Sequence, residues 1–144
     1  MIVKTDCTLN EQIINNLISK PSIDLRSQSE YEKGTIPNSI NIPILNDEEY
    51  RIVGSAYKKH GREYAITLGN NLVSGDVKKN RIKSWIEYIN KHSDCFIFCS
   101  RGGLRSQIAF KWILDAGVYV EKLEKGYKSY RNQIIQLHEN IHNY

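Results

Sequence analysis

The chain has 144 residues, a formal net charge of +4 at pH 7 and three cysteines. This length is close to the common size of one domain and allows a hydrophobic core without disulfides, so we expect one domain over residues 1–144. No apolar run reaches the roughly 20 residues of a membrane span, and the first residues lack the apolar core of a signal peptide. The odd, unpatterned cysteines indicate reduced thiols, and we expect a cytoplasmic protein without a membrane partner. The basic excess is compatible with a polyanionic partner but does not identify one.

Apolar periodicity and turn-forming residues divide the chain into alternating strands and helices. In chain order we predict a helix over 8–18 capped by Thr8, a strand at 22–26, a helical turn at 29–32, a strand at 39–42, a helical insert over 47–91, a strand at 95–98, a helix from about 105 to 116, a strand at 118–123 and a helix over 127–141. Breaks in the insert are expected at Gly54, Gly61, Gly69 and Gly75. This order predicts an α/β fold with a mainly parallel central sheet flanked by helices.

In such folds, sites form at the carboxyl ends of the strands, and the loop from Cys99 to Ser106 lies at one of these ends. The following helix is expected to direct its N-terminus at an anion held in the loop, and Gly102 and Gly103 allow successive N–H groups to turn inward. Positive charge from Arg101 and Arg105 favours a thiolate at Cys99, or a persulfide or perselenide carried on it. The Ser106 hydroxyl is expected to donate a hydrogen bond to the sulfur. We therefore predict Cys99 as the catalytic residue, with an anion-binding loop made of Ser100, Arg101, Gly102, Gly103, Leu104, Arg105 and Ser106.

Other polar and sulfur-bearing residues give weaker signals. Cys95, inside an apolar strand, is predicted to be a small buried hydrophobe, and Cys7 to be structural or an idle thiol. Asp24 and Arg26 are predicted to support the site: they orient the loop or bind the substrate anion, or else form an ion pair that braces a loop away from the chemistry. Glu30 is expected to be exposed, with bracing of a loop arginine as the alternative. No histidine has ligand spacing with a cysteine or an acid cluster, and the i, i+4 pair of His138 and His142 alone is too little for a metal site, so no metal is predicted.

Basic residues are concentrated in three segments of the chain. They are Lys58, Lys59 and Arg62; Lys78, Lys79, Arg81 and Lys83; and Lys125, Lys128 and Arg131. With Tyr57, Tyr64 and Tyr88 they are candidates to line a path for RNA, although a solvated charged surface is the expected role of any one of them. The third group is the stronger candidate for RNA binding, because it follows the last predicted strand and is therefore expected near the rim of the site.

Several segments together resemble the rhodanese family. They are the D-L-R segment at 24–26, the G-T-I-P-N-S-I-N-I-P segment at 34–43 and the cysteine loop at 99–106. Further segments are similar to the rhodanese half of the tRNA 2-selenouridine synthases: N-D-E-E at 46–49 with V-G at 53–54 and Y-K at 57–58, L-G-N-N-L-V-S-G at 68–75, and E-K-G-Y-K-S-Y-R at 124–131. The resemblance covers residues 23–131.

The resemblance implies a rhodanese-like domain in a transferase that replaces the sulfur of wobble 2-thiouridine in tRNA by selenium. It implies selenophosphate as the co-substrate, a geranylated thiouridine as an intermediate, no bound cofactor, and Cys99 as the selenium-handling residue. Cys99 to Arg105 spans seven residues, one more than in many thiosulfate-using rhodaneses, which leaves room for a tetrahedral oxyanion. The family's second domain has a phosphate loop, whose pattern G-x-x-x-x-G-K-[ST] this chain lacks. A separate phosphate-loop subunit that binds geranyl diphosphate and tRNA is the expected partner, with a truncated chain as the alternative.

Other functions stay open from the sequence. Cys-x5-Arg also binds phosphate in cysteine-dependent phosphatases and arsenate reductases. A phosphatase needs a carboxylic general acid, for which Asp24 and Asp47 are candidates. A generic thiosulfate sulfurtransferase and a non-catalytic rhodanese-like scaffold are the remaining alternatives, and the presence of Cys99 counts against the scaffold.

Overall fold

A computed structural model of the chain describes the backbone of residues 2–142 and the side chains of residues 11–139. Within these residues, seven helices surround a four-stranded sheet. The elements are α1 (Ile2–Ser19), β1 (Ser22–Asp24), α2 (Gln28–Lys33), β2 (Ser39–Asn41), α3 (Asp47–His60), α4 (Arg62–Leu72), α5 (Gly75–Lys91), β3 (Phe96–Phe98), α6 (Leu104–Asp115), β4 (Glu121–Lys122) and α7 (Gly126–His142). None of the described helices is long and apolar enough to cross a membrane.

The sheet confirms the predicted α/β fold with a parallel sheet. Its strand order is β2-β1-β3-β4, and all three strand pairs are parallel. The chain leaves β1 for β2 on one side and later returns for β3 on the other side, so the order reverses between β1 and β3. Asp24 is opposite Phe98 in the register of these two strands. The residues that follow β1 and β3 therefore meet at the switch point where open α/β sheets bind ligands.

The core has two layers, one on each face of the sheet. Ile23 and Ile97 face a cluster that includes Trp85 of α5 and Ile113 of α6, and all four are fully buried. Phe96, Phe98 and the buried Ile36 face the other way, toward α1 and α7. Because successive side chains of a strand alternate between faces, helices on both faces account for the continuous apolar sequence of β3.

The helical insert over 47–91 is confirmed as α3, α4 and α5, but two of its predicted breaks are wrong. Gly61 and Gly75 have φ of +89° and +54° and do separate the helices. Gly54 and Gly69 lie inside α3 and α4. One glycine inside a helix costs only about 1 kcal/mol relative to alanine, which helix packing offsets. At Gly69 an added Cβ would lie 3.9 Å from Cγ2 of Val53, an ordinary van der Waals contact, so α4 packs against α3 at this position.

Two smaller expectations about element ends are also wrong. α1 begins at Ile2, so Thr8 lies inside the helix and does not cap it; no proline or glycine among the preceding residues stops the helix from extending. The last strand is limited to β4, shorter than the predicted 118–123. The side chain of Cys7 lies outside the described residues.

The first turn of α7 is hydrogen-bonded to the loop that follows β3. The N–H groups of Tyr127 and Lys128 donate to the carbonyl oxygens of Cys99 and Ser100, both at 2.9 Å. Gly126 has φ of +66°, and a Cβ there would lie 2.5 Å from the Cys99 oxygen and 2.7 Å from the Ser100 oxygen. The absence of a side chain at this position is therefore required for the contact.

We predict that Gly126→Ala destabilises the protein by at least about 1–2 kcal/mol, since a Cβ in the left-handed region alone costs that much. For a chain of this size, each kcal/mol lowers Tm by about 2–4 °C. Gly54→Ala is the matched control, because Gly54 lies inside a helix and a Cβ added to it would meet nothing within 4 Å. Equal melting temperatures of the two variants, measured by circular dichroism, would contradict this role of Gly126.

Candidate active site around Cys99

Cys99 directly follows β3 and lies at the switch point of the sheet. The N–H of Leu25, which follows β1, donates to the carbonyl oxygen of Phe98 at 2.9 Å and fixes the two strand ends against each other. Cys99 is only 2% exposed. Its thiol donates to Oγ of Ser106 at 3.2 Å, and the Ser106 hydroxyl donates to the carbonyl oxygen of Gly103 at 3.2 Å. The expected donation from Ser106 to sulfur therefore requires that the thiol first lose its proton and that the hydroxyl rotate.

The backbone of the loop has its N–H groups available for an anion. None of the N–H groups of residues 100–106 donates to an acceptor within the described part of the chain. The carbonyl oxygens of Cys99 and Ser100 instead face α7, and the Gly103 oxygen accepts from the N–H of Gln107 at 3.1 Å. A run of free N–H groups next to a helix N-terminus is the geometry that binds phosphate-like oxyanions in proteins.

Arg105 is held by Glu30, so the expectation of an exposed Glu30 is wrong and the bracing alternative is the one observed. Nη1 of Arg105 donates to Oε1 of Glu30 at 2.7 Å, and Nη2 donates to Oε2 at 3.2 Å. The guanidinium also lies over the ring of Tyr50, 4.6 Å from its centroid. Both N–H and hydroxyl of Ser27 donate to the same carboxylate, which fixes Glu30 at the start of α2.

The protonation of this pair follows from its surroundings. Burial raises the pKa of Glu30, but hydrogen bonding to Arg105, the charge of Arg105 and the bonds from Ser27 outweigh it, so the pKa lies below its ordinary value. Burial likewise lowers the pKa of Arg105, while the Glu30 carboxylate raises it by more. Both groups are therefore charged at neutral pH, and the pair is a fixed part of the site wall.

Asp24 and Arg26 form a second, fully enclosed ion pair. Nη2 of Arg26 donates to Oδ2 of Asp24 at 2.8 Å and to the carbonyl oxygen of Gly34 at 2.7 Å. Thr35 donates to the same carboxylate oxygen at 2.8 Å. The Arg26 guanidinium lies 4.1 Å from the ring centroid of Tyr127 on α7. These contacts favour the interpretation that the pair braces the segments around the loop and does not itself touch a substrate.

An open pocket of about 660 Å³ lies in front of Cys99. Among the described residues, its polar and basic lining consists of Arg62, Ser100, Arg101, Arg105, Gln107 and Lys128, and its remaining lining consists of Leu45, Tyr50, Val53, Gly54, Tyr57, Cys99, Gly103 and Leu104. Four of these side chains are cationic, and none is a carboxylate. The pocket is therefore suited to an anionic molecule.

Only some of the basic and aromatic residues that the sequence analysis proposed for RNA binding line this pocket. Of the basic groups, Arg62 and Lys128 line it, whereas Arg81 is bound to Glu49 at 2.8 Å and Lys78 lies over the ring of Trp112. Of the three nominated tyrosines only Tyr57 lines the pocket. Sequence reasoning identified Tyr57 but missed the other pocket-lining residues of the same face of α3, which are Tyr50, Val53 and Gly54. With Tyr57 they have i, i+3, i+4, i+7 spacing, which was a signal, but such spacing normally indicates a core face.

Cys95 is confirmed as a buried cysteine, 2% exposed. Burial, with a smaller contribution from the charge of Asp94, raises the pKa of the Cys95 thiol to about 11. This thiol stays protonated at neutral pH and is not a nucleophile there. The two described cysteines therefore differ in their surroundings, and only Cys99 opens onto the pocket.

Comparison with known proteins agrees with this geometry. The profile of the Rhodanese-like domain family matches residues 9–133, and the chain belongs to this family. Among curated proteins it is similar to the tRNA 2-selenouridine synthases of Sulfurovum sp. (strain NBC37-1), at 45% identity over 86% of the chain, and of Shewanella woodyi, at 43% over 86%. The enzyme of Proteus mirabilis is 40% identical over 92% of the chain. These alignments cover 33%, 34% and 37% of the relatives, so the chain spans about a third of their length.

A solved structure is similar over nearly the same part of the chain. It is the N-terminal domain of a protein of Clostridium difficile 630 described as ATP/GTP-binding. The TM-score is 0.75 at 34% identity, and the match covers 85% of this chain and 95% of that domain. The similarity to the rhodanese half of the tRNA 2-selenouridine synthases, predicted from the sequence segments, is thus confirmed.

We predict that Glu30→Gln lowers the free energy of unfolding by about 1–2 kcal/mol at pH 7, which is the charged hydrogen bond's contribution reduced by partial exposure. Because the folded-state pKa of Glu30 is lowered, its contribution is present above the ordinary carboxyl pKa and is lost as the pH falls through the folded value. Urea unfolding of wild type and variant should therefore converge toward acid pH. Glu32→Gln, an exposed carboxylate of the same helix, is the control. A pH-independent difference between wild type and Glu30→Gln would refute the ionic role.

Proposed function

We propose that the chain is the rhodanese part of a tRNA 2-selenouridine synthase, which transfers selenium from selenophosphate to C2 of wobble 2-thiouridine. The observation that carries the proposal is the pocket in which Cys99 lies among free loop N–H groups and four cationic side chains without a carboxylate. The similarity to the tRNA 2-selenouridine synthases supports it. We place this activity in the cytoplasm and assign it to a rhodanese-like domain over residues 1–144.

Selenophosphate fits the pocket by charge and shape. Its three phosphoryl oxygens are acceptors for the N–H groups of residues 100–106, in the manner of other loop-bound phosphates. Arg101 is exposed at the loop and Lys128 lies on α7, so both side chains are free to approach these oxygens. Arg105 has its charge engaged by Glu30 and serves mainly as a fixed wall beside the anion.

In the proposed reaction, the Cys99 thiolate attacks phosphorus of the monoprotonated selenophosphate dianion. An S–P bond forms, the P–Se bond breaks, and its electron pair leaves with selenium as the hydrogen selenide anion. This anion adds to C2 of the nucleoside, and the sulfur substituent leaves with the electron pair of the C–S bond. Water then hydrolyses the phosphocysteine to inorganic phosphate and the free thiol. The loop N–H groups stabilise the charge on the phosphoryl oxygens in both phosphoryl-transfer steps.

The absence of a carboxylate from the described pocket lining favours this reaction over phosphate monoester hydrolysis. A phenolate or alkoxide leaving group requires a proton from a general acid, whereas hydrogen selenide leaves as an anion. Of the two candidate acids, Asp24 is enclosed with Arg26. Hydrogen bonds from the N–H and hydroxyl of Ser29 hold the pKa of Asp47 below its ordinary value, so Asp47 is ionised and has no proton to give.

The rim of the pocket provides groups for RNA. Tyr57 is 50% exposed and lines the pocket, so its ring is free to stack on an unstacked base. Arg62 and Lys128 lie on the same lining and are positioned for the flanking phosphates. The remaining two thirds of the curated relatives have no counterpart in this chain, and we propose that a phosphate-loop partner supplies the geranyl-diphosphate and further tRNA-binding functions.

We predict that Cys99→Ser abolishes selenium incorporation, lowering it at least a hundredfold. The assay contains the full chain, a phosphate-loop protein from the same organism, 2-thiouridine tRNA and selenophosphate, and 2-selenouridine is quantified by mass spectrometry after nuclease digestion. Cys95→Ala is the control and should retain activity, because that thiol lies in the core. Undiminished activity of Cys99→Ser would show that Cys99 is not the catalytic residue.

A comparison of phosphoryl donors separates the alternatives. We expect Cys99-dependent release of phosphate from selenophosphate and at least a hundredfold slower release from phenyl phosphate, whose leaving group needs a general acid. Efficient Cys99-dependent hydrolysis of phenyl phosphate would instead favour a phosphatase. Turnover of thiosulfate that exceeds turnover of selenophosphate would favour a generic sulfurtransferase.

A further inference from the structure

Gly54 lies inside α3 at a position where the fold does not require a glycine. Its φ is not in the left-handed region, and a Cβ added to it would meet no atom of the described residues within 4 Å. Glycine is, after proline, the least favourable residue in the interior of a helix, so its presence here lowers the stability of α3. A glycine that costs stability and relieves neither strain nor crowding indicates that its bare backbone has another use.

The bare backbone of Gly54 borders the Cys99 pocket. A second cavity, apolar and of about 90 Å³, adjoins this pocket, and Val53, Tyr57 and Arg105 contribute to the walls of both. Gly54, in contrast, lines only the larger pocket. The open space over Gly54 is therefore part of the volume in which a substrate meets Cys99.

Two exposed aromatic rings flank Gly54 on the same face of α3. Tyr50 and Tyr57 are 39% and 50% exposed, and both line the pocket. Seven residues of helix place the two side chains about 10.5 Å apart along the axis. Aromatic rings in contact have centroids about 4.5–7 Å apart, so one planar ring fits between the two tyrosines. We call the space over Gly54 between these two rings the Gly54 gap.

The two sides of the pocket differ in chemistry. Its four cationic side chains come from the loop, α4, α6 and α7, whereas α3 contributes no charged group to the lining. N–H groups in the middle of a helix are bonded within the helix, so the Gly54 gap offers no free donor to an anion. The pocket volume of about 660 Å³ is in the range that holds a whole organic ligand, more than one tetrahedral anion fills. The α3 side therefore suits a flat, uncharged ring that is attached to an anionic group.

We propose that the Gly54 gap is the subsite for the planar base of the nucleoside that reacts at Cys99. The base lies over the bare backbone of Gly54 with the rings of Tyr50 and Tyr57 at its two sides, and the attached sugar phosphate extends toward the cationic side chains. Any side chain at position 54 would occupy the place of the base, which accounts for the glycine. The inference rests on the proposed function, since it takes a nucleoside as the molecule that reacts at Cys99, and it assigns recognition of the base to α3.

Binding of one nucleotide with and without its base tests the proposal. The ligands are 2-thiouridine 5′-monophosphate and methyl ribofuranoside 5-phosphate, which share the ribose and the phosphate and differ in the base. Correlation spectra of ¹H and ¹⁵N nuclei, recorded on the full chain during each titration, give the dissociation constant and show which amide signals move. We expect the nucleotide to bind at least about fivefold more tightly than the base-free ligand, which is the lower end of what stacking of one base provides. The amide signal of Gly54 should move with the nucleotide only.

Variants of α3 locate the base. Gly54→Leu should bring the ratio of the two dissociation constants close to one, because its side chain fills the Gly54 gap, and it should melt no lower than wild type, since leucine is more favourable in a helix than glycine. Ser55→Leu is the matched control: it adds the same side chain at the next residue, which is exposed and outside the pocket lining, and should keep the wild-type ratio. Tyr57→Leu should lower the ratio and Tyr57→Phe should keep it, because stacking needs the ring and not the hydroxyl.

The outcomes separate this inference from the function on which it rests. Equal affinities of wild type for the two ligands would overturn the base subsite and leave the role of Cys99 to the activity of Cys99→Ser. A preference for the nucleotide that survives in Gly54→Leu would also overturn it, because the base would then bind elsewhere. Equal ratios in Tyr57→Leu and Tyr57→Phe would overturn the placement of the base between two rings.

Two further results bear on the same question. No binding of either ligand would overturn the base subsite together with the anion-binding pocket on which the proposed function depends. If Gly54→Leu does not fold, as judged by circular dichroism, Gly54→Ala replaces it. The added methyl group lies in the same place and should lower the ratio, so an unchanged ratio in Gly54→Ala would overturn the proposal.

Discussion

The contact between the Cys99 loop and the first turn of α7 determines which way the loop presents its backbone. The carbonyl oxygens of Cys99 and Ser100 accept hydrogen bonds from Tyr127 and Lys128, which leaves the opposite side of the loop for its N–H groups. Gly126 permits this approach, and a Cβ on Gly102 would overlap the carbonyl of Glu124 on the other side of the same contact. Burying the carbonyl oxygens against α7 satisfies them at a helix N-terminus, where donors would otherwise be unpaired. The N–H groups proposed to bind an oxyanion therefore belong to the same loop whose carbonyl oxygens are bound to α7. The Arg26 guanidinium, which lies over the ring of Tyr127, connects the end of β1 to the same helix.

The cations around Cys99 divide into fixed and free groups. Arg105 is engaged by a carboxylate and an aromatic ring, and so its charge is largely compensated and its position defined. Arg101 and Lys128, in contrast, line the pocket without an ion pair among the residues the structure describes. A compensated cation gives shape and orientation, whereas free cations give net attraction for an anion. This division suits a site that must hold a small tetrahedral anion in one orientation and also attract a much larger polyanion.

The sequence predicted those features whose signal is local. β3 is an uninterrupted apolar run, which correctly indicated a buried strand of a parallel sheet. The loop after it has its cysteine, glycines and arginines within a few positions, which correctly indicated where the candidate site lies. The partner of Arg105 was not predictable in this way, because Glu30 lies 75 positions away and only the parallel register of β1 and β3 brings the two segments together. Gly69 was misjudged for a related reason. Its intrinsic cost in a helix is local and visible, but the packing of α4 against α3 that offsets this cost is a tertiary contact. The pocket-lining face of α3 likewise looks the same in sequence as a core face, since both are apolar and aromatic at helical spacing.

Arg105 contributes to both cavities, and this gives the Glu30 ion pair a consequence beyond stability. The aliphatic stem of Arg105 forms part of the apolar cavity, while its guanidinium belongs to the wall of the cationic pocket. A guanidinium free to swing would carry charge into the apolar cavity, where an unpaired charge is strongly unfavourable, or would leave a gap between the two compartments. The bidentate bond to Glu30 and the stacking on Tyr50 prevent both movements. The same ion pair therefore keeps the guanidinium of Arg105 in the wall of the cationic pocket and its aliphatic stem in the wall of the apolar cavity.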